Sequence, residues 1–463
     1  MIVSLLAAAA LATQQPNVVL ILCDNLGNGD IACFNPQTKH RTPNLDRMAA
    51  EGRRFTGFYS ASGVCSPSRA ALMTGCYPRR VGMDTCWQGS AVLRPVDKKG
   101  LHAAEDTLAE LLKRAGYSTA CFGKWHLGDQ PEFLPTRQGF DSYLGIPYSE
   151  DMVRGKVPGR DWPELPLLEN DRVIEAPTEA EHLTKRLTEA AVQFIAAHKA
   201  KPFFIYFPVP GPGSRQVCYP SPAFKGKSAN GLYGDAIEEI DWSAGEILKA
   251  LKSHGVDDKT LIIWTSDNGA VRRTPQQGSN APYLGWGYST SEGGMRMPCI
   301  MRWPGHIPPC TECRELTTMM DLLPTLTSLS GAASPGHPID GRDITPLLLG
   351  DAPSPHDETG FFYYQIRQLQ AVRAGPWKLY LPLENKSALG PKAKPQPQPL
   401  ALYHVRDDLA ETTELSAKEP AVVKKLLTLA EEARRTLGDN DQPGTHQRPS
   451  GWVENPTPRL LAP

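Results

Sequence analysis

Apolar and polar positions along the chain follow two rhythms. Short unbroken apolar runs rich in β-branched residues, at 17–23 (Asn-Val-Val-Leu-Ile-Leu-Cys) and 260–265 (Thr-Leu-Ile-Ile-Trp-Thr), predict strands buried on both faces. Runs at 54–59, 117–122, 202–207 and 298–303 predict further strands of the same sheet, the last of them closing it. Between them, apolar residues at helical spacing predict helices over 45–52, 106–116, 179–198, 233–251 and 320–330. The 233–251 helix is amphipathic and is expected to carry Asp241 and Trp242 on its surface or rim. From Pro147 to Pro177 the periodicity fades among Pro, Trp and charges, which reads as an insertion loop shaping a pocket. Further on, 361–365, 369–374, 377–381 and 402–405 predict a small antiparallel sheet, closed by a helix over 419–437, and the tail after Gly438 reads as coil.

This order of elements gives an α/β class: a large, mainly parallel sheet sandwiched by helices, plus a small C-terminal antiparallel sheet with one helix. The boundaries fall at 16–352 for the large unit and 353–463 for the C-terminal subdomain and tail. Residues 1–12 form an apolar run ending Ala10-Leu11-Ala12, followed by polar Thr13-Gln14-Gln15, as in a signal peptide, although no Lys or Arg precedes the run. A secreted or periplasmic location is expected on that basis, and no other apolar stretch is long enough to span a membrane. The net charge of −1 over 463 residues offers no general attraction to nucleic acid, so an anionic substrate must be captured by a local group of cations. The ten cysteines lack the spacing of a disulfide scaffold, and Cys310-Thr311-Glu312-Cys313 reads as a local disulfide or two free thiols.

Candidate chemistry collects where strands end. Asp24-Asn25 follows the first strand and Asp267-Asn268 the 260–265 strand, at the edge where open α/β sheets gather ligands. Taken singly, each pair also reads as a turn closing a strand. Together their carboxylate and amide oxygens, without clustered His, suit Ca²⁺, with Mg²⁺ as the other hard cation. Lys124 and His126, just beyond the 117–122 strand, put a permanent cation and a titratable imidazole on the same rim. Cys65 opens a helix whose first turn holds Pro67, so its unpaired N–H groups favour an anion, and the guanidinium of Arg69 lies one turn on. An ordinary buried Cys at a helix start is the plain alternative.

The stretch Cys65-Ser66-Pro67-Ser68-Arg69-Ala70-Ala71-Leu72-Met73-Thr74-Gly75 resembles the signature of the type I sulfatases, arylsulfatase-like members of the alkaline phosphatase superfamily. Gly123-Lys124-Trp125-His126-Leu127-Gly128 is similar to the family's second signature, and the likeness runs from about Asn17 to about Gly350. A weaker trace follows at Leu402, Tyr403, Asp407, Glu411 and Leu415. The resemblance implies that a maturation enzyme oxidises Cys65 to formylglycine, whose hydrate is the nucleophile. It also implies that Arg69 offsets charge, Lys124 binds the sulfate, and His126 contacts the hydrate and assists proton transfer. Asp24, Asn25, Asp267 and Asn268, with the modified Cys65, would hold calcium. The implied activity is hydrolysis of a sulfate ester, on a sulfated carbohydrate or an aryl sulfate. Two alternatives stay open: a module that binds sulfated glycans without cleaving them, and a phosphate-ester or phosphonate hydrolase of the same superfamily.

Three positions depart from the family pattern. Asn25 stands where Asp is usual; the 208–218 segment lacks the expected His and offers Arg215 as a replacement cation; Gly287 replaces a Lys expected five residues before Glu292. Removing one positioned donor costs such a site about 10²–10³ in rate, so these departures bear directly on activity.

Overall fold

The computed structural model describes residues 15–156, 159–213, 217–389, 394 and 396–462, so the apolar run at 1–12 and Arg215 lie outside the described residues. An 11-stranded sheet forms the body. Its strands are β1 (Asn17–Asp24), β2 (Arg53–Tyr59), β3 (Ser118–Lys124), β4 (Ser142–Ile146), β5 (Leu167–Glu169), β6 (Arg172–Glu175), β7 (Phe203–Pro212), β8 (Thr260–Ser266), β9 (Arg296–Arg302), β10 (Thr311–Cys313) and β11 (Thr317–Thr318). They lie side by side as β10-β2-β9-β8-β1-β7-β3-β4-β5-β6, with β11 also on β2. From β8 through β1, β7 and β3 to β4 all pairings are parallel, so these strands end on one edge of the sheet.

The unbroken apolar run of β1 hides a period of two, and each face packs on its own core. Val19, Ile21 and Cys23 join one cluster; Val18, Leu20 and Leu22 join the other. The first cluster is completed by α1 (Pro43–Ala50), α4 (Leu183–His198) and α5 (Gly231–Ser253), through Leu45, Leu187, Ile237 and Ile247. The second is completed by α2 (Cys65–Thr74), α3 (Leu108–Arg114) and α6 (Leu322–Ser330), through Leu72, Leu111 and Leu326. Each fully buried Leu or Ile of this kind contributes about 1.5–3 kcal/mol, which fixes β1 between two helical layers. α3 also has a local start signal: Thr107 and Glu110 form a reciprocal capping box.

Several expectations are corrected by tertiary structure. Asp241 is buried rather than on a rim, because from α5 it accepts the N–H groups of Asn44 (3.0 Å) and Leu45 (2.9 Å) and so caps α1, while Trp242 is half-buried. The 147–177 segment is not all loop: β5 pairs antiparallel with β4 and β6 antiparallel with β5, in pieces of three and four residues too short to show a period. β9 does not close the sheet, because β10 and β11 add to β2. All ten cysteines are free thiols, with Cys310 exposed and Cys313 buried in β10. The tail is tied down: Gly451–Trp452 pairs with Lys99–Gly100, and Arg448 grips Glu105 through two 2.7 Å bonds. These anchors are polar, so hydropathy gives no sign of them.

A second sheet of β12 (Phe361–Gln365), β13 (Gln368–Ala374), β14 (Trp377–Tyr380) and β15 (Ala401–His404) is antiparallel throughout and is covered by α7 (Pro420–Leu437). A buried charge cluster joins it to the large sheet. Glu292 takes Lys378 Nζ from β14 at 2.9 Å, the hydroxyls of Tyr59 and Tyr363, and Arg296 Nη1 at 3.4 Å. Burial alone would raise the Glu292 carboxyl; Lys378, Arg296 and Arg373 outweigh it and hold it at about 2.

Removing one partner of such a buried pair leaves an uncompensated charge, so Lys378→Ala is expected to cost about 3–5 kcal/mol in denaturant unfolding. Because the folded carboxyl sits below its unfolded value of about 4.3, its stabilisation is complete above that pH and fades as pH falls toward about 2. Glu292→Gln should therefore flatten the acid limb of a stability-against-pH series.

Candidate active site

The shared edge of the parallel strands gathers the groups that the sequence analysis singled out. β1 delivers Asp24, after which Asn25 turns the chain with φ of +63°, a left-handed conformation that Asn tolerates better than most residues. β8 hands on to Asp267 and Asn268. Lys124 is the last residue of β3 rather than a loop residue beyond it. Cys65 is the first residue of α2, with Pro67 in the first turn, where its missing N–H costs nothing. Ser66 Oγ accepts the Leu93 N–H at 3.1 Å and so ties the 86–97 loop to this helix start.

Arg69 holds these ends together. Its side chain is fully buried, and it donates from Nε and Nη2 to Asp267 Oδ2 (3.1 and 2.8 Å), from Nη2 to Asp24 Oδ1 (3.0 Å) and from Nη1 to the Lys124 carbonyl (2.8 Å). Lys124 Nζ donates to Asp24 Oδ1 at 2.8 Å and to Ser149 Oγ at 3.0 Å. The two acids are therefore unequal. For Asp24, burial is outweighed by Lys124 and Arg69, which hold the carboxyl well below the usual range. Asp267 is pushed up to about 7 by burial and by the Asp24 charge, with Arg69 opposing.

Cys65 and His126 are both neutral in this field. Burial, then the Asp24 charge, pushes the Cys65 thiol well above its ordinary value, with Asp267 adding to the effect against Lys124 and Arg69. An unmodified Cys65 is thus a thiol, not the thiolate that cysteine nucleophiles require. Burial and the cations Lys124 and Arg69 hold His126 well below the usual histidine range. Its Nε2 lies 3.0 Å from the Leu93 carbonyl, which fixes Nε2 as the donor and leaves the buried Nδ1 without a partner among the described residues.

The donor set fits a hard divalent cation. Ligand atoms of Asp24, Cys65 and Asp267 all lie within 4.8 Å of one another. Asn268 Oδ1 is buried with no hydrogen-bond partner among the described residues, an orphaned oxygen beside two carboxylates. Asn25 Oδ1 accepts from Asn268 Nδ2 at 2.7 Å, so the two amides brace one another. Oxygen ligands of this kind match Ca²⁺ or Mg²⁺ rather than zinc.

The structure gives the family departures a physical form. β7 runs on to Pro212, and the Gly213 carbonyl accepts from Arg273 Nη2 (2.5 Å) and Asn25 Nδ2 (3.3 Å); residues 214–216 of the segment where a His was expected lie outside the described residues. A Cβ at Gly287 would lie 2.2 Å from the Gly269 carbonyl oxygen, so no side chain starts there without the backbone moving. Ser149, Glu150 and Arg273 were missed from the sequence. Ser149 and Glu150 follow β4, the parallel neighbour of β3, so the strand-end reasoning applied to Asp24 and Asp267 would have reached them.

Comparison with known proteins agrees with this arrangement. The Sulfatase family profile matches residues 16–332, and a profile for the C-terminal region of aryl-sulfatase matches 354–457. N-acetylgalactosamine-6-sulfatase of Mus musculus is 40% identical over 386 residues, covering 81% of this chain and 73% of the relative. Arylsulfatase A of Homo sapiens is 39% identical over 406 residues, covering 81% and 76%. A solved sulfatase from Pseudoalteromonas sp. superposes with a TM-score of 0.79 at 27% identity, covering 92% of each chain. The sheet order, the buried Arg69 constellation and these matches together place the chain in the sulfatase family, as a sulfuric ester hydrolase.

Proposed function

We propose that the protein hydrolyses sulfate esters of a carbohydrate or aryl alcohol at the site built around Cys65, Arg69, Lys124 and His126, outside the cytoplasm. The observation that carries this reading is the buried bridge from Arg69 to both Asp24 and Asp267, set against the start of the helix that Cys65 opens. In this reading Cys65 oxidised to formylglycine supplies a geminal diol as nucleophile, and a divalent ion on Asp24, Asn25, Asp267 and Asn268 supplies positive charge beside it. The apolar run at 1–12 supports export, and the names of the relatives support a sulfated sugar or an aryl sulfate as substrate.

The chain's own residues then divide the work. Lys124, already a donor to Ser149, binds a sulfuryl oxygen with Ser149 at its side. Arg69 keeps Asp24 ionised and holds Asp24 and Asp267 in place, so the groups around the nucleophile do not have to reorganise during reaction. His126, neutral and with Nδ1 bare, accepts a proton from the nucleophile side. The low exposure of Cys65 means that the maturation enzyme reaches it before the fold closes.

Three measurements follow from this assignment. The wild-type protein should turn over 4-nitrophenyl sulfate and leave 4-nitrophenyl phosphate nearly untouched; preference for the phosphate, or turnover of neither, overturns the proposal. Cys65→Ala should abolish turnover with the melting temperature kept, and peptide mass spectrometry across Cys65 should find the aldehyde in material from a host that makes the modification. Ca²⁺ should raise the melting temperature over that in EDTA, by about 2.7 kcal/mol of stability at a hundredfold excess over Kd. Asp267→Ala should erase that shift, and Asn25→Asp should enlarge it by restoring one negative charge.

A further inference from the structure

Hydrolysis of an alkyl sulfate ester releases an alkoxide, so a proton donor must stand at the leaving oxygen. The groups already described do not supply one. Arg69 and Lys124 are held protonated by their carboxylate partners, Asp24 is ionised between them, and His126 is a neutral base with its one N–H committed to Leu93. Asp267 faces Arg69 and belongs to the set that fits the cation. Among the described residues, Glu150 is a buried carboxyl at this edge of the sheet that is in neither set. Glu150 is 2% exposed, and its Oε2 accepts from Ser149 Oγ at 3.1 Å, the same hydroxyl that accepts from Lys124 Nζ. Its Oε1 has no hydrogen-bond partner among the described residues, although it is buried.

We propose that Glu150 is the catalytic acid that protonates the leaving alcohol oxygen. The assignment rests on the sulfate-ester reading above and extends it to the leaving-group side of the site. Glu150 is linked by hydrogen bonds to Asp24 through Ser149 and Lys124, whereas Cys65 stands directly with Asp24 and Asp267. That separation suits a transfer in which attacking and leaving oxygens lie in line on opposite sides of the transferred group, as in phosphoryl transfer. Oε1 lies against the end of β7, where a Cβ on Gly213 would come within 3.2 Å of it, so glycine at 213 spares this carboxyl a side-chain contact. As the S–O bond breaks, its electron pair stays on the alcohol oxygen, the Glu150 proton moves to that oxygen, and the carboxylate regains a proton from water before the next turnover.

The surroundings favour a carboxyl that still holds its proton near neutrality. Burial raises Glu150 to about 7, with Asp151 and Asp24 adding to this and Lys124, on β3, opposing it. Cys218 and Tyr219, in the segment after β7, also face it and are themselves pushed up, chiefly by burial, while Arg273 from beyond β8 is bonded to the Gly213 carbonyl. An acid titrating near the working pH combines a high protonated fraction with a strong tendency to give the proton up.

The test is a series of substituted phenyl sulfates whose phenols run from acidic (4-nitrophenol) to weakly acidic (4-methoxyphenol), compared between wild type and Glu150→Gln. Good leaving groups need no acid, so the variant should cleave 4-nitrophenyl sulfate within about threefold of wild type and 4-methoxyphenyl sulfate about 10²-fold more slowly. The alkaline fall of kcat/KM above about pH 7, seen in wild type with the weakly acidic phenol, should disappear in the variant. Glu150→Asp should recover part of the lost rate on that same substrate, and an unchanged melting temperature shows that the fold survives. An equal loss across the series, or no loss anywhere, overturns the assignment. Wild-type turnover of 4-nitrophenyl sulfate tests the sulfatase reading separately, since that result does not depend on Glu150.

Discussion

The active edge depends on one guanidinium taken out of water. Arg69 has no exposed side-chain surface, and its donors are spent on two carboxylates and one backbone carbonyl, each from a different parallel strand. Burying a cation this way is tolerable only when its partners are fixed and complementary, and removing either side leaves a charge that the interior cannot solvate. The bridge therefore sets the register of three strand ends and the start of α2 together. Two carboxylates held this close share the positive charge unequally: Asp24 has Arg69 and Lys124 while Asp267 has Arg69, so the less compensated charge lies on Asp267, where a further cation is favoured.

The same logic recurs, without any catalytic consequence, at the join of the two sheets. Glu292 draws in Lys378, Arg296 and two tyrosines, so the small sheet is oriented on the large one by directional bonds as well as by apolar packing. A register fixed by charge is costly to build and discriminating once built. The tail uses a milder form of the device, with the Arg448 fork on Glu105 and a two-residue strand on Lys99–Gly100.

What could be read from the sequence follows from these physical differences. β1 and β8 were legible because strands buried on both faces leave unbroken apolar runs, and their acid–amide ends were legible because parallel strands finish on one edge. The start of α2 was legible from Pro67 and the motif around it. Features that depend on a distant partner were not. Asp241 looks like a surface residue until α1 is laid across it, and β5 and β6 are too short for their alternation to register. Ser149 and Glu150 sit in a turn with no period, and the sign that could have found them is their place just past the end of β4, beside Lys124.

The departures from the family pattern are linked rather than scattered. Asn25 in place of Asp removes one negative charge, and Gly287 in place of Lys removes one positive charge, so the fixed charge at this edge is conserved by the two together. They also meet at one side chain. Asn268 donates to Asn25 Oδ1 at 2.7 Å, and its Nδ2 lies 3.2 Å from where a Cβ on Gly287 would stand. With an amide at position 25 the pair of side chains can brace each other without a cation beside them. The Gly269 carbonyl lies in the space that a side chain at 287 would need. Cys65, Arg69, Lys124 and His126 are all present at this edge, and the wall at Gly213 is built with Arg273 and Glu150. Here Asp24 has two cationic partners, Asp267 has one, and this wall is bonded back to Asn25 through Gly213. The two carboxylates thus keep cationic partners at the edge where the Cys65 thiol stands.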